Sequence, residues 1–393
     1  MRVLYIDSAE LIHHVKDALC LLGYEYDELS GFDFGAEYDE KQLRHRIQEL
    51  ISIKNANGKC YQMVFSFNYY HVISEVCREN DIIYICWIYD SPQAELFHPT
   101  IGNTNNRIFV FDKMLIKRLK AYKPDANLFY MPLAGNTDQL GSIFINEEDE
   151  KIYNKDISFV GGLYENNVYN QTWNNLSEEQ RDELGTYLMA NLCNWKYTRK
   201  WPELSDEFVD LYIKMSERGR QLCYDMKPSE YYGCMVLSRK LAEMERITIL
   251  NRLSEVHPLC LYTNSKSQYI KTVNGDIKPP VDYRSDMFKV FHLSRINLNI
   301  TLPSIETGVP LRVFDILSVG GFCLTNESEE VFELFEVGKE IETYDSLEEL
   351  IDKSLYYLRH EERRKRIGVN GYLAVKERHN YVKRLGEMIE TAI

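Results

Sequence analysis

The sequence predicts an α/β protein built from two doubly wound domains in tandem, and three observations lead to that prediction. The chain has 393 residues, more than one ordinary hydrophobic core accommodates. Short runs rich in β-branched and aromatic residues alternate with amphipathic helical stretches on both sides of about residue 152. Several of these runs are continuously apolar, which is typical of parallel strands covered by helices on both faces.

The first predicted domain covers residues 1–152. Its predicted strands are RVLYID, YQMVFSF, IIYICWIYD, RIFVFD and NLFYMP. The helical stretches between them are SAELIHHVKDALCLLG, KQLRHRIQELISIK, YYHVISEVCREN and KMLIKRLKAY. The polar, acidic segment from Ile143 to Lys155 is interpreted as the linker to the second domain.

The second predicted domain covers residues 153–375 and opens with the strand DISFVGGLY. A segment at about 166–227 then interrupts it, with helical patterns in LSEEQRDELGTYLMANL and DEFVDLYIKMSERGRQL, so we interpret it as a helical insertion. The α/β alternation returns with a long helix and the strands PLCLYT, RINLNIT, GFCLTN and EIETY. A helix beginning at SLEEL carries a capping box of Ser346 and Glu349.

Composition excludes several classes of protein. Apolar residues make up 45% and charged residues 27%, as in folded globular proteins. The formal net charge of -14 argues against a nucleic-acid binder, which needs a basic face. The nine cysteines form no C-x-x-C pair and are interpreted as reduced thiols. No apolar run reaches the roughly 18 residues of a membrane span, and the start MRVLYID lacks signal-peptide features, so we expect a cytoplasmic protein.

The chain also lacks the familiar motifs for metals, nucleophiles and phosphates. It contains no D-x-D, no H-x-x-x-H and no Cys/His ligand spacing, so no metal site is expected. It contains no G-x-S-x-G, no Walker A pattern and no G-x-G-x-x-G. Phosphate binding, if it occurs, must therefore use another device.

Candidate site residues of the first domain lie where strands end. Asp90 follows a continuous apolar strand that Pro92 stops, which places its carboxylate at the ligand-binding edge of the sheet, although a turn or capping role explains it equally. Asn68 and Tyr69 follow another strand at the same level, with helix capping as the alternative for Asn68. His98 lies in a nearby loop.

In the second domain, Gly161 and Gly162 follow a strand, where glycines allow a backbone to approach a ligand, although a tight turn explains them too. Asn299 closes the strand RINLNIT at the same edge.

A stronger signal is the segment SIETGVPLRVFDILSVGGF. Thr307 is a candidate N-cap, and Gly308 and Pro310 precede an apolar helix whose free N–H groups and dipole favour an anion. Arg312 adds a guanidinium that matches phosphate oxygens. Asp315, three residues later, either accepts hydrogen bonds from ribose hydroxyls or pairs with Arg312.

These residues carry a resemblance to a known family. The run SRINLNITLPSIETGVPLRVFDILSVGGFCLTN resembles the carboxyl-terminal domain of CgeB-like (spore-maturation type) glycosyltransferases, and the resemblance continues through FELFEVGKEIETYDSLEELIDKSLYYLRHEERRKRI and ERHNYVKRL. The stretches WIYDSP, FVFDK and YMPLAGNTD look like the amino-terminal domain usually paired with it, and ISFVGGLY resembles the entry into the second domain. The resemblance covers most of the chain outside the insertion.

The resemblance implies a GT-B glycosyltransferase with two Rossmann-like domains facing a cleft. The second domain would bind a nucleotide-sugar donor, the first would bind the acceptor, and a final helix at 376–393 would cross back to the first domain. The wider retaining group has two glutamates separated by seven residues, whereas here eight residues separate Glu306 from Asp315. The usual Arg and Lys that hold the diphosphate are not evident near SFVGGLY, so Arg312 would replace them.

The sequence therefore predicts a glycosyltransferase without cofactor or metal that moves a hexose-type sugar from a nucleoside diphosphate to an unknown acceptor: a protein, a glycan or a polysaccharide precursor. Two alternatives stay open: a nucleotide-sugar epimerase of the same fold and a catalytically silent binding protein. No nucleic-acid partner and no transmembrane segment are expected, while peripheral membrane contact stays open. The predicted site residues are catalytic Asp90, donor-side Gly161, Gly162, Asn299, Thr307, Gly308, Arg312 and Asp315, and acceptor-side Asn68, Tyr69 and His98.

Overall fold

The computed structural model describes residues 1–8, 14–32, 34, 38–56, 58, 60–91, 93–195, 224–266, 268–271 and 275–393. Its contacts divide the chain into two compact units. Within the described residues, unit 1 comprises 1–133, 224–227 and 381–393, and unit 2 comprises 134–195 and 228–380.

The first division between the units falls after Leu133, whereas the sequence predicted a boundary near 152. The acidic segment interpreted as a linker contains a helix, Glu147–Tyr153, whose N-cap is Asn146. Asp149 of this helix completes a capping box and accepts a hydrogen bond from Lys289 of unit 2 at 2.9 Å. Charged residues there serve a helix start and an ion pair, so composition alone does not mark the boundary.

Unit 1 is built on a parallel sheet of six strands in the order β2-β1-β3-β4-β5-β6. The strands are β1 Arg2–Ile6, β2 Glu25–Leu29, β3 Met63–Phe67, β4 Ile83–Trp87, β5 Asn106–Val110 and β6 Leu128–Tyr130. Every residue of β3 is buried, as expected for a central strand covered on both faces. The sequence did not predict β2, because its EYDEL sequence is polar and lies at the sheet edge.

Helices cover this sheet. They are α1 His14–Leu21, α2 Glu40–Ala56, α3 His71–Glu79 and α4 Lys113–Tyr122, with two 3-10 turns at Ala94–Phe97 and Pro99–Gly102. The start of α4 shows how the sequence sets a helix boundary, since the Asp112 carboxylate accepts hydrogen bonds from the backbone N–H groups of Met114 and Leu115. The C-terminal helix also belongs to unit 1.

Unit 2 has a second parallel sheet of six strands in the order β12-β11-β10-β7-β8-β9. The strands are β7 Ile157–Val160, β8 Leu259–Tyr262, β9 Gly275–Lys278, β10 Ile296–Asn299, β11 Cys323–Asn326 and β12 Glu342–Tyr344. Numbered within the unit, this is the doubly wound order 3-2-1-4-5-6. The prediction of two doubly wound parallel domains is thus confirmed, although the polar edge strand β9 was not predicted.

The helices of unit 2 are short at its start and longer toward its end. They are α5 Asp138–Ser142, α6 Glu147–Tyr153, α7 Val168–Thr172, α8 Glu178–Asn191, α9 Pro228–Tyr231, α10 Ser238–Val256, α11 Asp286–Leu293, α12 Leu311–Ser318, α13 Glu329–Leu334, α14 Leu347–Arg359 and α15 Glu361–Arg378. A π-helical turn, Tyr232–Leu237, joins α9 to α10. The hydrophobic core lies between α10, α14 and the sheet and includes Leu253, Leu298 and Tyr357.

Much of the described part of the insertion is helical. Its first predicted helical pattern forms α8, which Ser177 and Gln180 start with a capping box. The second pattern, DEFVDLYIKMSERGRQL, lies outside the described residues. At the end of the insertion Asp225 belongs to unit 1, where its backbone N–H donates to Phe97 O and its carboxylate accepts from the Tyr122 hydroxyl.

The last helix, α16 Tyr381–Ala392, packs within unit 1 against α1 and β4. The ring of Tyr381 lies 5.3 Å from that of His14 and 5.8 Å from that of Trp87, measured between centroids. The polypeptide therefore leaves unit 2 after Asn380 and ends in unit 1.

Candidate functional site

The order of strands in unit 2 contains a topological switch point, where a candidate ligand site is expected. The chain passes from β7 outward to β8 and β9, then returns to the other side of β7 with β10. Doubly wound sheets bind ligands outside the carboxyl ends of their strands at such a switch point. The site to inspect is therefore formed by the loops that follow β7 and β10.

Arg246 of α10 lies at this switch point. Its Nη1 donates to the carbonyl oxygen of Gly162 after β7 at 2.6 Å, and its Nη2 donates to that of Ile300 after β10 at 2.9 Å. Its guanidinium carbon lies 4.7 Å from the ring centroid of Tyr164 and 5.3 Å from that of Phe159. Among the described residues, its Nε is buried without a hydrogen-bond partner. Two carbonyls and two rings thus fix a cation where the two loops meet.

The loop after β7 approaches this cation closely. The backbone N–H of Gly161 donates to Tyr262 O, and a Cβ at this position would lie 3.3 Å from the Phe159 ring and 3.6 Å from Arg246 Nη1. Tyr164 has a φ of +61°, a conformation that is uncommon for a non-glycine residue. The predicted glycine pair therefore lies beside Arg246, and Gly162 contributes its carbonyl oxygen rather than an N–H.

Helix α12 follows the loop after β10. Its N-cap is Pro310, not Thr307, whose hydroxyl donates to Glu330 at 2.8 Å. Gly308 is buried in the turn before the helix. Arg312 lies in the first turn, where its Nη1 contacts Met287 Sδ and its guanidinium lies over the ring of Phe291. The predicted capping role of Thr307 is thus wrong.

Asp315 is buried, with 6% of its surface exposed. Its Oδ1 accepts from the Tyr283 hydroxyl at 3.1 Å, and its Oδ2 lies 3.9 Å from Arg312 Nη1. Burial raises the pKa of Asp315 to about 6, even though Arg312 and Tyr283 act in the opposite direction. The contact with Arg312 is the alternative that the sequence left open, and a role toward ribose stays a prediction.

Charge distribution links Arg312 to Arg246. Burial has the largest effect and lowers the pKa of Arg246, and the positive charge of Arg312 lowers it further, whereas Tyr164 and Glu245 act in the opposite direction. Two like charges held near each other at the switch point raise the local positive potential, which an anionic ligand would relieve.

Asn299 has an internal role at the carboxyl end of β10. Its Nδ2 donates to the hydroxyl oxygens of Thr301 and Thr325, and its carbonyl oxygen accepts from Tyr344. These bonds tie together the ends of β10, β11 and β12. Asn299 is 5% exposed, so it supports the loops around the site.

A recess opens beyond these strand ends, within unit 2. Its lining combines residues of the insertion with those of the loops after β10 and β11: Asn194, Trp195, Thr301, Leu302, Pro303, Ile305, Glu306, Asn326, Glu327 and Ser328. The ring of Trp195 contacts that of Tyr344 at 5.1 Å, edge to face. Asn194 and Trp195 of the insertion therefore belong to unit 2 and line this recess.

In unit 1, the structure brings Asn68 and Asp90 together. Asn68 Nδ2 donates to Asp90 Oδ2 at 2.9 Å, and Asn68 Oδ1 accepts from the backbone N–H groups of Tyr89 and Asp90. Asn68 has a φ of +59°, and the N-cap of α3 is Tyr70, so Asn68 bridges two strand ends rather than capping the helix. This linkage holds the Asp90 carboxylate at the carboxyl end of the sheet.

Tyr69 lies in the core, with its hydroxyl hydrogen-bonded to Thr100 at 2.8 Å, so its ring does not line a surface. His98 is partly buried and stacks on His71 with 4.4 Å between ring centroids. His71 Nδ1 lies 2.6 Å from Glu95 Oε1. Burial and the neighbouring His71 lower the pKa of His98, while Glu95 raises the pKa of His71 against the effect of burial.

Sequence reasoning missed Arg246, Trp195 and Glu95. Arg246 lies in the middle of a long helix, where an arginine is ordinarily a surface residue. Trp195 lies in the insertion, which carried no motif. Contacts formed across the fold give these residues their positions, and no local spacing indicates them.

Among the described residues, no group of three or more His, Cys, Asp or Glu side chains is arranged to hold a metal ion. The described helices include none that is long and apolar enough to cross a bilayer.

Comparison with known proteins adds to this description. Residues 246–390 match the model of a family described as glycosyl transferase-like. No curated protein matches the chain. Similar solved structures include sucrose-phosphate synthase from Thermosynechococcus elongatus, with a TM-score of 0.56, 9% identity, and coverage of 100% of this chain and 98% of that one.

Two further structures have the same level of similarity. HepE from Anabaena, in complex with UDP and glucose, has a TM-score of 0.53, 9% identity, and coverage of 100% and 99% of the two chains. A glycosyltransferase from Rickettsia africae has a TM-score of 0.52, 9% identity, and coverage of 100% and 97%. The chain has the GT-B fold. Its partial family match and its fold support sugar transfer in general, and the resemblance to CgeB-like proteins stays a prediction.

Proposed function

We propose that this protein transfers a sugar from a nucleoside-diphosphate donor bound to unit 2 to an acceptor bound at the carboxyl end of the unit 1 sheet. The observation that carries the proposal is Arg246, a cation fixed at the topological switch point by the carbonyls of Gly162 and Ile300. The family match, which begins at this residue, supports the same activity.

The diphosphate would lie between Arg246 and the first turn of α12. The N–H groups of a first helical turn have no intrahelical acceptors, and the helix dipole favours negative charge beside them. Arg312 is in the same turn and is 30% exposed in its side chain, so it can turn toward a phosphate. Bond breakage leaves negative charge on the departing diphosphate, which these groups stabilise without requiring a metal.

The acceptor hydroxyl would lose its proton as it attacks the sugar. Asp90 is the candidate base, because Asn68 holds one of its carboxylate oxygens at the edge where the sheet of unit 1 binds ligands. His98 lies in the loop after β4 and His71 is the first residue of α3, and both would contact the acceptor. Tyr69 would support this loop through its bond to Thr100.

A binding panel tests the donor site. Thermal shift with UDP, GDP, TDP and CMP should reveal one nucleotide that raises the melting temperature, since a ligand at about 100 times its Kd adds about 2.7 kcal/mol of stability. Arg246→Ala should then weaken binding by roughly ten- to a hundred-and-fifty-fold, because a charged hydrogen-bonding partner contributes about 1.5–3 kcal/mol.

Arg252→Ala is the matched control, since Arg252 lies on the same helix, is exposed and pairs only locally with Glu255. Arg246→Lys separates positive charge from the planar guanidinium. Equal nucleotide affinity of Arg246→Ala and wild type, measured by calorimetry on folded protein, contradicts the proposal. Products formed from a nucleotide sugar alone would instead favour an epimerase, and addition of a chelator tests the expected independence from metals.

A further inference from the structure

The recess at the ends of β10 and β11 contains polar groups that lack partners. Trp195 Nε1–H and the Ser328 hydroxyl are buried, and neither has a hydrogen-bond partner in the described part of the chain. Buried donors are satisfied in almost all native structures, and an unsatisfied one is costly. Two such groups lining one recess would gain hydrogen bonds from a ligand that enters it.

The same recess carries two carboxylates, those of Glu306 and Glu327. Burial raises the pKa of Glu327, and the nearby negative charges of Asp345 and Glu349 raise it further. Further negative charge in this recess is therefore unfavourable. By contrast, a neutral hydroxyl can donate to a carboxylate oxygen without adding charge.

The recess lies directly beside the proposed diphosphate site. Ile300, whose carbonyl oxygen holds Arg246, immediately precedes Thr301 of the recess. Leu302, Pro303 and the ring of Trp195 add apolar surface to its wall, and Asn194 and Asn326 add polar groups. An apolar wall combined with hydroxyl and carboxylate groups suits a sugar ring, which has C–H faces and polar edges.

We propose that Trp195 of the insertion closes over the donor sugar and that Glu327 restricts this sugar to one without a carboxylate, such as a neutral hexose. The inference rests on the proposed function, because it assumes a nucleotide sugar whose diphosphate lies at Arg246. The indole N–H and the Ser328 hydroxyl donate to sugar oxygens, and a sugar hydroxyl donates to Glu327. Because both donors are occluded before binding, Trp195 moves when the sugar enters.

Fluorescence on the full chain tests the contact of Trp195 with the sugar, and calorimetry tests the selection against a sugar with a carboxylate. The probes are UDP, UDP-glucose and UDP-glucuronate, or the corresponding guanosine or thymidine compounds if the nucleotide panel selects that base. UDP-glucose should change the tryptophan emission beyond the change caused by UDP, and Trp195→Phe should remove this additional change. Trp173→Phe is the control, since Trp173 is 40% exposed and does not line the recess.

Wild type should bind the glucose compound at least about tenfold more tightly than the glucuronate compound, because like charges in a partly buried site repel. Glu327→Gln should reduce this ratio by about threefold or more, whereas Glu329→Gln, exposed at the start of α13, should leave it unchanged. Equal affinity of wild type for the two compounds, or sugar-dependent emission that survives in Trp195→Phe, overturns this inference alone. If no nucleotide binds, both the inference and the proposed function fail.

Discussion

A substitution of Asp315 distinguishes a structural role of this buried residue of α12 from a role in nucleotide binding. The substitution Asp315→Asn keeps the shape of the side chain and its capacity to accept from the Tyr283 hydroxyl, but it removes the charge. If the carboxylate is mainly a buried structural group, the neutral amide should stabilise the protein near neutral pH. If it binds ribose, nucleotide affinity should fall instead.

The raised pKa of Asp315 determines how much the substitution should change the free energy of unfolding. Burial raises the pKa of Asp315 from 3.8 to about 6, which corresponds to about 3 kcal/mol of destabilisation when the group is ionised. Because the folded state binds the proton more tightly than the unfolded state, this cost is absent below about pH 4. It grows between about pH 4 and pH 6, and above that range it is fully present. Part of it remains in the variant, because Asn no longer attracts Arg312.

Urea unfolding at pH 8 and pH 5 measures the effect. We expect Asp315→Asn to be more stable than wild type by about 1–3 kcal/mol at pH 8, and by about half as much at pH 5. Asp352→Asn, at an exposed position of α14, should show no such trend. A variant that is less stable at pH 8 would refute this reasoning, and unchanged stability with weaker nucleotide binding would support the ribose contact.

Three further predictions follow from other contacts. The pKa of His98 is lowered, so the folded protein binds a proton at His98 less well than the unfolded chain does, and stability falls as the pH drops below about 6.5. His98→Gln should therefore flatten the acid side of the plot of melting temperature against pH. His45→Gln, at an exposed position, should leave that plot unchanged. Gly321→Ala should lower the free energy of unfolding by about 1–3 kcal/mol, because the added Cβ would lie 2.6 Å from a helix carbonyl oxygen. The added Cβ of Gly185→Ala, within α8, meets no atom within 4 Å, so this variant should raise the free energy of unfolding by about 0.5–1 kcal/mol. Asp90→Asn should reduce turnover about 100-fold with nearly unchanged nucleotide affinity, and full turnover would leave Asp90 with only its turn contacts.

Much of the fold could be predicted because local patterns of apolar residues indicate which segments are buried. Continuous apolar runs predicted the central strands β3 and β4, and amphipathic spacing predicted α4. The edge strands β2 and β9 are polar and partly exposed, so their sequences do not differ from those of loops. The segment around Asp149 failed as a linker because its acidic residues start a helix and pair with unit 2.

The candidate site was less predictable. Sequence reasoning identified the segment around Arg312 because a Gly, a Pro and an Arg at a helix start form a local pattern. It could not give the partners of Asp315, since Tyr283 lies 32 residues away and approaches only through packing of the fold. Sequence reasoning placed Tyr69 at a surface. Hydrophobic periodicity and a position just after a strand do not distinguish a buried tyrosine whose hydroxyl is hydrogen-bonded from an exposed tyrosine.

Arg246 shows most clearly why such a site needs the structure. Elsewhere in unit 2, Lys240, Lys353 and Arg378 each lie within 3.0 Å of a carboxylate that balances their charge. Arg246 donates to two carbonyl oxygens and lies against two aromatic rings, while the negative charge of Glu245 raises its pKa against the effect of burial. Holding a cation in this way is costly for the free protein, and the cost is reduced when an anion binds. If the proposed nucleoside diphosphate binds beside Arg246, we therefore expect it to stabilise unit 2 more than its contact area alone would suggest.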